Sequence, residues 1–366
     1  MILTPPQATS LNVGALSAIF HKTTTSYKLL FFIGLLQLVE NRMRRLEAGR
    51  TFTLNEITES LLGFGWYPHR FFKLSFGAQD QIGNVLDRLA FDLAERSVTS
   101  PQAHQALRHA IANQFDHIGA AALKRYVPQR LLTPFFAKSL HGLSDHQKDK
   151  KIRELADATF TSDNPPLYRL DNNGDQIEIH PRWMEYLTVN LPIVKGWAFN
   201  HWASYLQRNN PNSPAIIRKI APPSERTSLA KQRQVWQQLL SQLPLRCIYS
   251  NTPLKPDSFD LDHFLPWSFI CHDQYWNLIP ATPESNRSIG KSLPTPEQVE
   301  AFIDAQIQAL QLAQRLLSSK HWAAIAEDYS TGLGLSQAEL AYPERVAEAY
   351  TKTLHPMISL AQGLGY

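Results

Sequence analysis

Apolar residues return every three or four positions over most of this chain and alternate with polar ones only in short stretches. Residues 29–39 (LLFFIGLLQLV) are an almost unbroken apolar run, preceded by Thr23, Thr24, Thr25 and Ser26, which suit a helix N-cap. Arg42, Arg44 and Arg45 follow and complement the negative end of a helix, with a phosphate-contacting stripe as the sharper alternative. Helical spacing predicts further helices over residues 11–20, 79–96 and 100–115, the last opening on Pro101 after Ser100. Residues 51–66 read as a short extended start and then a helix. Two apolar stretches, 167–170 and 176–179, flank Asp171-Asn172-Asn173-Gly174 and predict a β-hairpin over 167–179. The Asp171-x-Asn173-x-Asp175 spacing hints at a calcium loop, but Gln176 stands where that loop needs Gly and Arg182 where it needs Glu, so calcium is rejected. Residues 181–207, rich in Trp and Tyr, predict a core helix broken near Pro192. Helices follow over 227–243, from Pro296 toward Leu317, and in a tail expected to pack back on the N-terminal helices.

Loop signals at 209–214 and at Ala221-Pro222-Pro223-Ser224 interrupt this pattern. They divide the chain into a mostly helical region (1–225) holding the hairpin, a compact module (226–294) and a C-terminal helical region (295–366). The expected class is mainly α. With 43% hydrophobic and 19% charged residues over 366 positions, the chain has the composition of a folded globular protein. A net charge of +4 suits a polyanionic partner without identifying one. Two cysteines make no disulfide framework and fit a reducing cytoplasm. The first residues lack the pattern of an export signal, and run 29–39 is too short to span a bilayer, so no membrane insertion is expected.

The candidate chemistry lies in residues 245–291. Residues 245–249 and 258–262 read as two strands of a hairpin with a long turn, the second ending in Asp262-His263. A hard carboxylate and an imidazole then leave one strand end together, one suited to hold a cation and the other to take a proton. Trp276-Asn277-Leu278 follows, and Pro283-Glu284-Ser285-Asn286-Arg287 opens a short helix.

Asp-His, an Asn fourteen residues on, and then Asn-Arg with Gly-Lys-Ser close behind resembles the HNH nucleases, which carry a ββα-metal fold. The spacing is most similar to the HNH domain of RNA-guided CRISPR effector nucleases, although Asn286-Arg287-Ser288-Ile289-Gly290-Lys291-Ser292 is two residues longer than the family segment. The resemblance implies His263 as general base, Asp262 and Asn286 as metal ligands, and Asn277 as the residue that steadies the loop and the His. Arg287, Lys291 and Arg246 are the candidate phosphate contacts. It implies a Mg²⁺-dependent DNA endonuclease, with Mn²⁺ as a substitute, that nicks one strand. Stand-alone HNH proteins with large helical extensions resemble bacterial anti-phage components, which implies foreign DNA as target and other proteins of a defence operon as partners. Many HNH proteins add a zinc knot of Cys-x-x-Cys pairs; here Cys247 is followed by Ser250 in place of the second Cys, so no structural zinc is expected. Two alternatives stay open: a catalytically silent HNH-fold DNA-binding or assembly protein, and an RNase or toxin-like nuclease.

Overall fold

Helices dominate, as the periodicity predicts, and strands are few and short. The computed structural model describes residues 4–223, 227–290 and 292–366. The chain divides into one unit of Met1–Leu93, Val98–Pro211 and Ile216–Pro222, and a second of Ala94–Ser97, Asn212–Ala215 and Pro223–Tyr366. Among the described residues no helix is long and apolar enough to cross a membrane.

The first unit is built on helix α1 (Tyr27–Arg45), which buries Leu29, Leu30, Phe32, Leu35, Leu36 and Val39. Ser26 precedes it without a side-chain cap; its own N–H donates instead to Asp80 Oδ2 at 2.6 Å, while Asp80 Oδ1 accepts from Ile82 N at 2.8 Å. Strand β1 (Thr51–Thr53) leads into α2 (Leu54–Trp66), which opens on a full capping box between Thr53 and Glu56. Gly34 permits close approach of α1 and α2, since a Cβ there would meet Ile57 O and Leu61 N at 3.1 Å. The predicted hairpin is present as β2 (Tyr168–Leu170) and β3 (Gln176–Ile179), and β1 adds to it as a third strand with Phe52 opposite Ile177. The aromatic segment forms α3 (Pro181–Val189) and α4 (Leu191–Asn209), interrupted at Asn190.

Residues 79–96 are helical only over Ile82–Asp87 and in a short turn at Glu95–Ser97. The reason is tertiary. Gln114 clamps the backbone of Ala90, accepting its N–H at 2.9 Å and donating to its carbonyl at 3.3 Å, bonds a helix there would have used internally.

In the second unit, α5 (Ala230–Leu240) buries Trp236, Leu239 and Leu240. Strand β4 (Asp260–His263) pairs antiparallel with β5 (Leu278–Ala281), placing Asp262 opposite Ile279 and His263 opposite Leu278. Helix α6 (Pro283–Ile289) follows, capped by Thr282, to complete the expected strand–strand–helix order. The predicted first strand at 245–249 is not one. Cys247 and Asn251 close a tight turn, with Asn251 N on Cys247 O and Cys247 N on Thr252 O, both at 2.8 Å, leaving a single bridge between Arg246 and Pro253. The partner of β4 therefore comes from the far side of the loop.

Helices α7 (Pro296–Leu316), α8 (Ser319–Leu333) and α9 (Pro343–Gly363) complete this unit. Sequence assigned this tail to the N-terminal helices; its apolar faces lie instead in one core with Phe259, Phe264, Trp276 and Ile279 of the strand module. Phe302 stacks on Phe264 with centroids 3.8 Å apart and meets Tyr350 edge-on at 5.5 Å.

Candidate active site

Asp262 and His263 end β4, and each side chain is held by a residue from elsewhere. Tyr249, in the Cys247–Asn251 turn, donates its hydroxyl to Asp262 Oδ2 at 2.6 Å. His263 Nε2 lies 2.8 Å from Asp273 Oδ1 in the loop before β5. The carboxyl of Asp262 is pushed up to about 6: burial outweighs the opposing help of the Tyr249 hydroxyl, the His263 imidazole and the His263 backbone N–H. Burial, and then the Asp262 charge, raise the Tyr249 phenol well above its ordinary value, so it stays a hydrogen-bond donor.

Asn277 is fully buried and spans the loop, accepting from Leu265 N at 2.9 Å and donating to Leu265 O at 3.0 Å. With Phe264 N on Asn277 O at 2.9 Å, this pins the chain leaving His263 to the chain entering β5.

Asn286 sits on α6 and reaches β4, where its Nδ2 donates to Asp260 Oδ2 at 3.3 Å. Asp260 and Asp262 are two apart on one strand and so share a face. The amide is thus joined to Asp260 rather than to Asp262, with its oxygen left for another partner. Arg233 of α5 also approaches Asp260, at 3.9 Å, across the Phe259 ring.

The proposed phosphate contacts are placed differently. Arg287 is exposed and leans on Glu284 at 3.7 Å. Arg246 donates through Nε to both the backbone and side-chain oxygens of Asn251 at 2.8 Å, which ties it to the turn. Lys291 lies outside the described residues. Cys247 is buried; burial raises its thiol, but the Ser250 hydroxyl and nearby backbone N–H groups hydrogen-bond to it and bring it below its ordinary value. Ser250, where a zinc knot would have its second Cys, is bound to the first by a hydrogen bond.

Sequence missed Tyr249, Asp260 and Asp273. Only Asp260 carried a local signal, its same-face spacing to Asp262; a lone Tyr in a turn and a lone Asp in a loop have none.

Asp262 and Asn286, the two ligands that the family resemblance implies, would offer a cation one carboxylate and one amide oxygen. Among the described residues no group of three or more His, Cys, Asp or Glu gathers as a metal cluster. A donor set this small fits a hard divalent cation that keeps most of its positions for water and substrate phosphate. Burial disfavours the ionised form of Asp262, and a cation beside it would favour that form.

Residues 247–296, from the Cys247 turn through β4, β5 and α6, match the HNH endonuclease family. Comparisons with curated proteins and with solved structures found no match. Over residues 247–296 the chain carries an HNH endonuclease domain.

Proposed function

We propose that this protein is a Mg²⁺-dependent DNA endonuclease that nicks one strand, with Mn²⁺ able to substitute, and that it acts on foreign DNA in the bacterial cytoplasm as part of a defence system. The observation that carries the chemistry is the Asp262-His263 pair at the end of β4, with each side chain already fixed by its own partner. Such fixing lowers the reorganisation that the reaction itself would otherwise require.

In this reading His263 takes the proton from the attacking water, and Asp262 and Asn286 hold the cation. A bound divalent ion supplies positive charge at the scissile phosphate and the departing 3′-oxygen. Asn277 keeps the His263 loop in register with β5. The products carry 5′-phosphate and 3′-hydroxyl, as the family resemblance implies. One domain of this kind per chain supports single-strand cleavage. The defence assignment and its partner proteins rest on likeness to stand-alone HNH proteins with helical extensions, and the net charge of +4 agrees with a polyanionic substrate.

The test is cleavage of supercoiled plasmid, phage DNA and RNA side by side, with Mg²⁺ and with EDTA. Wild-type protein should convert supercoiled plasmid to open circles only with the cation, and His263→Ala should abolish this while leaving DNA affinity nearly unchanged. Undiminished cleavage by His263→Ala sinks the assignment of the base, and cleavage of RNA alone sinks the DNA reading.

A further inference from the structure

His263 and Asp273 side chains are only 10% and 14% exposed, and their Nε2···Oδ1 separation is 2.8 Å. An ionised carboxylate can only accept a hydrogen bond. The opposite tautomer would turn the Nε2 lone pair toward that oxygen, which is repulsive. The short contact therefore requires hydrogen on Nε2 and leaves the lone pair on Nδ1.

We propose that Asp273 is the positioning residue that locks His263 in its Nε2–H tautomer, so that Nδ1 is the nitrogen receiving the water proton; the catalytic part of this rests on the nuclease reading above. In that step the water O–H bond breaks and its proton moves to Nδ1. The water oxygen forms a bond to phosphorus as the bond from phosphorus to the 3′-oxygen breaks, and the departing oxygen is protonated from solvent. Asp273 acts only through the imidazole, accepting from Nε2–H and stabilising the imidazolium that forms.

Asp273 is itself held from outside β4. Gln232 of α5 donates to its backbone carbonyl at 3.3 Å. Two residues on, Tyr275 N donates to Asp328 of α8 at 3.0 Å, and the Trp276 carbonyl accepts from Tyr350 of α9 at 2.9 Å. The Trp276 indole N–H returns to Gln274 Oε1 at 2.7 Å. Helices on both sides of residues 247–296 thus fix the loop that sets the imidazole, which gives them a part in the chemistry that sequence did not show.

The test uses the full-length chain, metal-free at neutral pH and labelled with ¹⁵N-histidine. The His263 signals are assigned by their loss in His263→Ala. Two-bond ¹H–¹⁵N correlation should find wild-type His263 as the Nε2–H tautomer, and this population should fall in Asp273→Asn and Asp273→Ala. In nicking assays at saturating Mg²⁺, Asp273→Asn should lower kcat about 100-fold or more with KM for DNA little changed, and Asp273→Glu should recover part of the loss. A wild-type Nδ1–H tautomer, or an Asp273→Asn protein with unaltered tautomer and kcat, overturns the proposal. Nε2–H in a wild-type protein that cuts nothing supports the tautomer assignment and overturns the nuclease reading, so the two failures are told apart.

Discussion

Gly332 of α8 lies so close to the Trp276 indole that a Cβ at this position would meet its Nε1 at 2.1 Å. No rotamer change relieves such an overlap; either the helix or the indole must move. The same Nε1 holds Gln274, next to Asp273, so a displaced indole pulls on the loop that orients His263. Gly332→Ala should therefore destabilise the unit by about 1–3 kcal/mol, as overpacking does. It should also depress nicking more than the unfolded fraction explains. Chemical denaturation beside cleavage at a temperature where the variant is fully folded checks both, and full activity in a destabilised variant would break the proposed link.

How much of this was legible in sequence follows a physical divide. Asp262, His263, Asn277 and Asn286 were singled out because the chemistry proposed for them ties residue type to spacing. Their supports were not, because Asp273 and Tyr249 are placed by packing from distant segments and any polar residue at those positions reads alike. Strand pairing failed for a related reason. Residues 245–249 have strand propensity, but the Cys247–Asn251 turn consumes their backbone groups. Leu278-Ile279-Pro280-Ala281 looks unfit for a strand because of Pro280, yet a two-stranded sheet is all edge and tolerates it. Gln306 of α7 accordingly supplies a donor to Leu278 O at 2.8 Å. The long helices were readable because their apolar stripes are local, whereas 79–96 was lost to a clamp by Gln114 that no local pattern announces.

Titration should separate the first unit from the nuclease domain. His180 caps α3 by accepting from Arg182 N through Nδ1 at 3.2 Å, with its ring against Phe160. Burial lowers its pKa, reinforced by Arg182 and Arg50 and opposed by Glu178. A histidine whose folded pKa lies below its unfolded value near 6.5 contributes stability above that pH and loses it as pH falls through the folded value. Protonation removes the cap, worth about 1 kcal/mol. Melting of this unit should fall between pH 7.5 and 5, by about 2–4 °C from this group. His180→Asn, which caps without titrating, should flatten that part of the curve; parallel curves for the two proteins would rule the cap out as the cause.

Asp262 sets up a conflict between stability and function that metal-free protein should expose. Its folded pKa, about 6, lies above the unfolded value, so its contribution is fully present below about pH 4 and is lost as pH rises through 6. At pH 7.5 without metal the chain therefore carries a buried charge that destabilises it by on the order of 3 kcal/mol. Asp262→Asn removes the charge and keeps an oxygen for the Tyr249 hydroxyl. In EDTA it should melt higher than wild type at pH 7.5, with the gap closing toward pH 4.5, because there wild-type Asp262 is itself neutral. Mg²⁺ should raise the wild-type melting temperature and leave the variant unmoved, and the variant should not nick. A variant less stable than wild type at every pH would mean that the carboxylate is held for structure, and would remove the reason for placing a cation beside it.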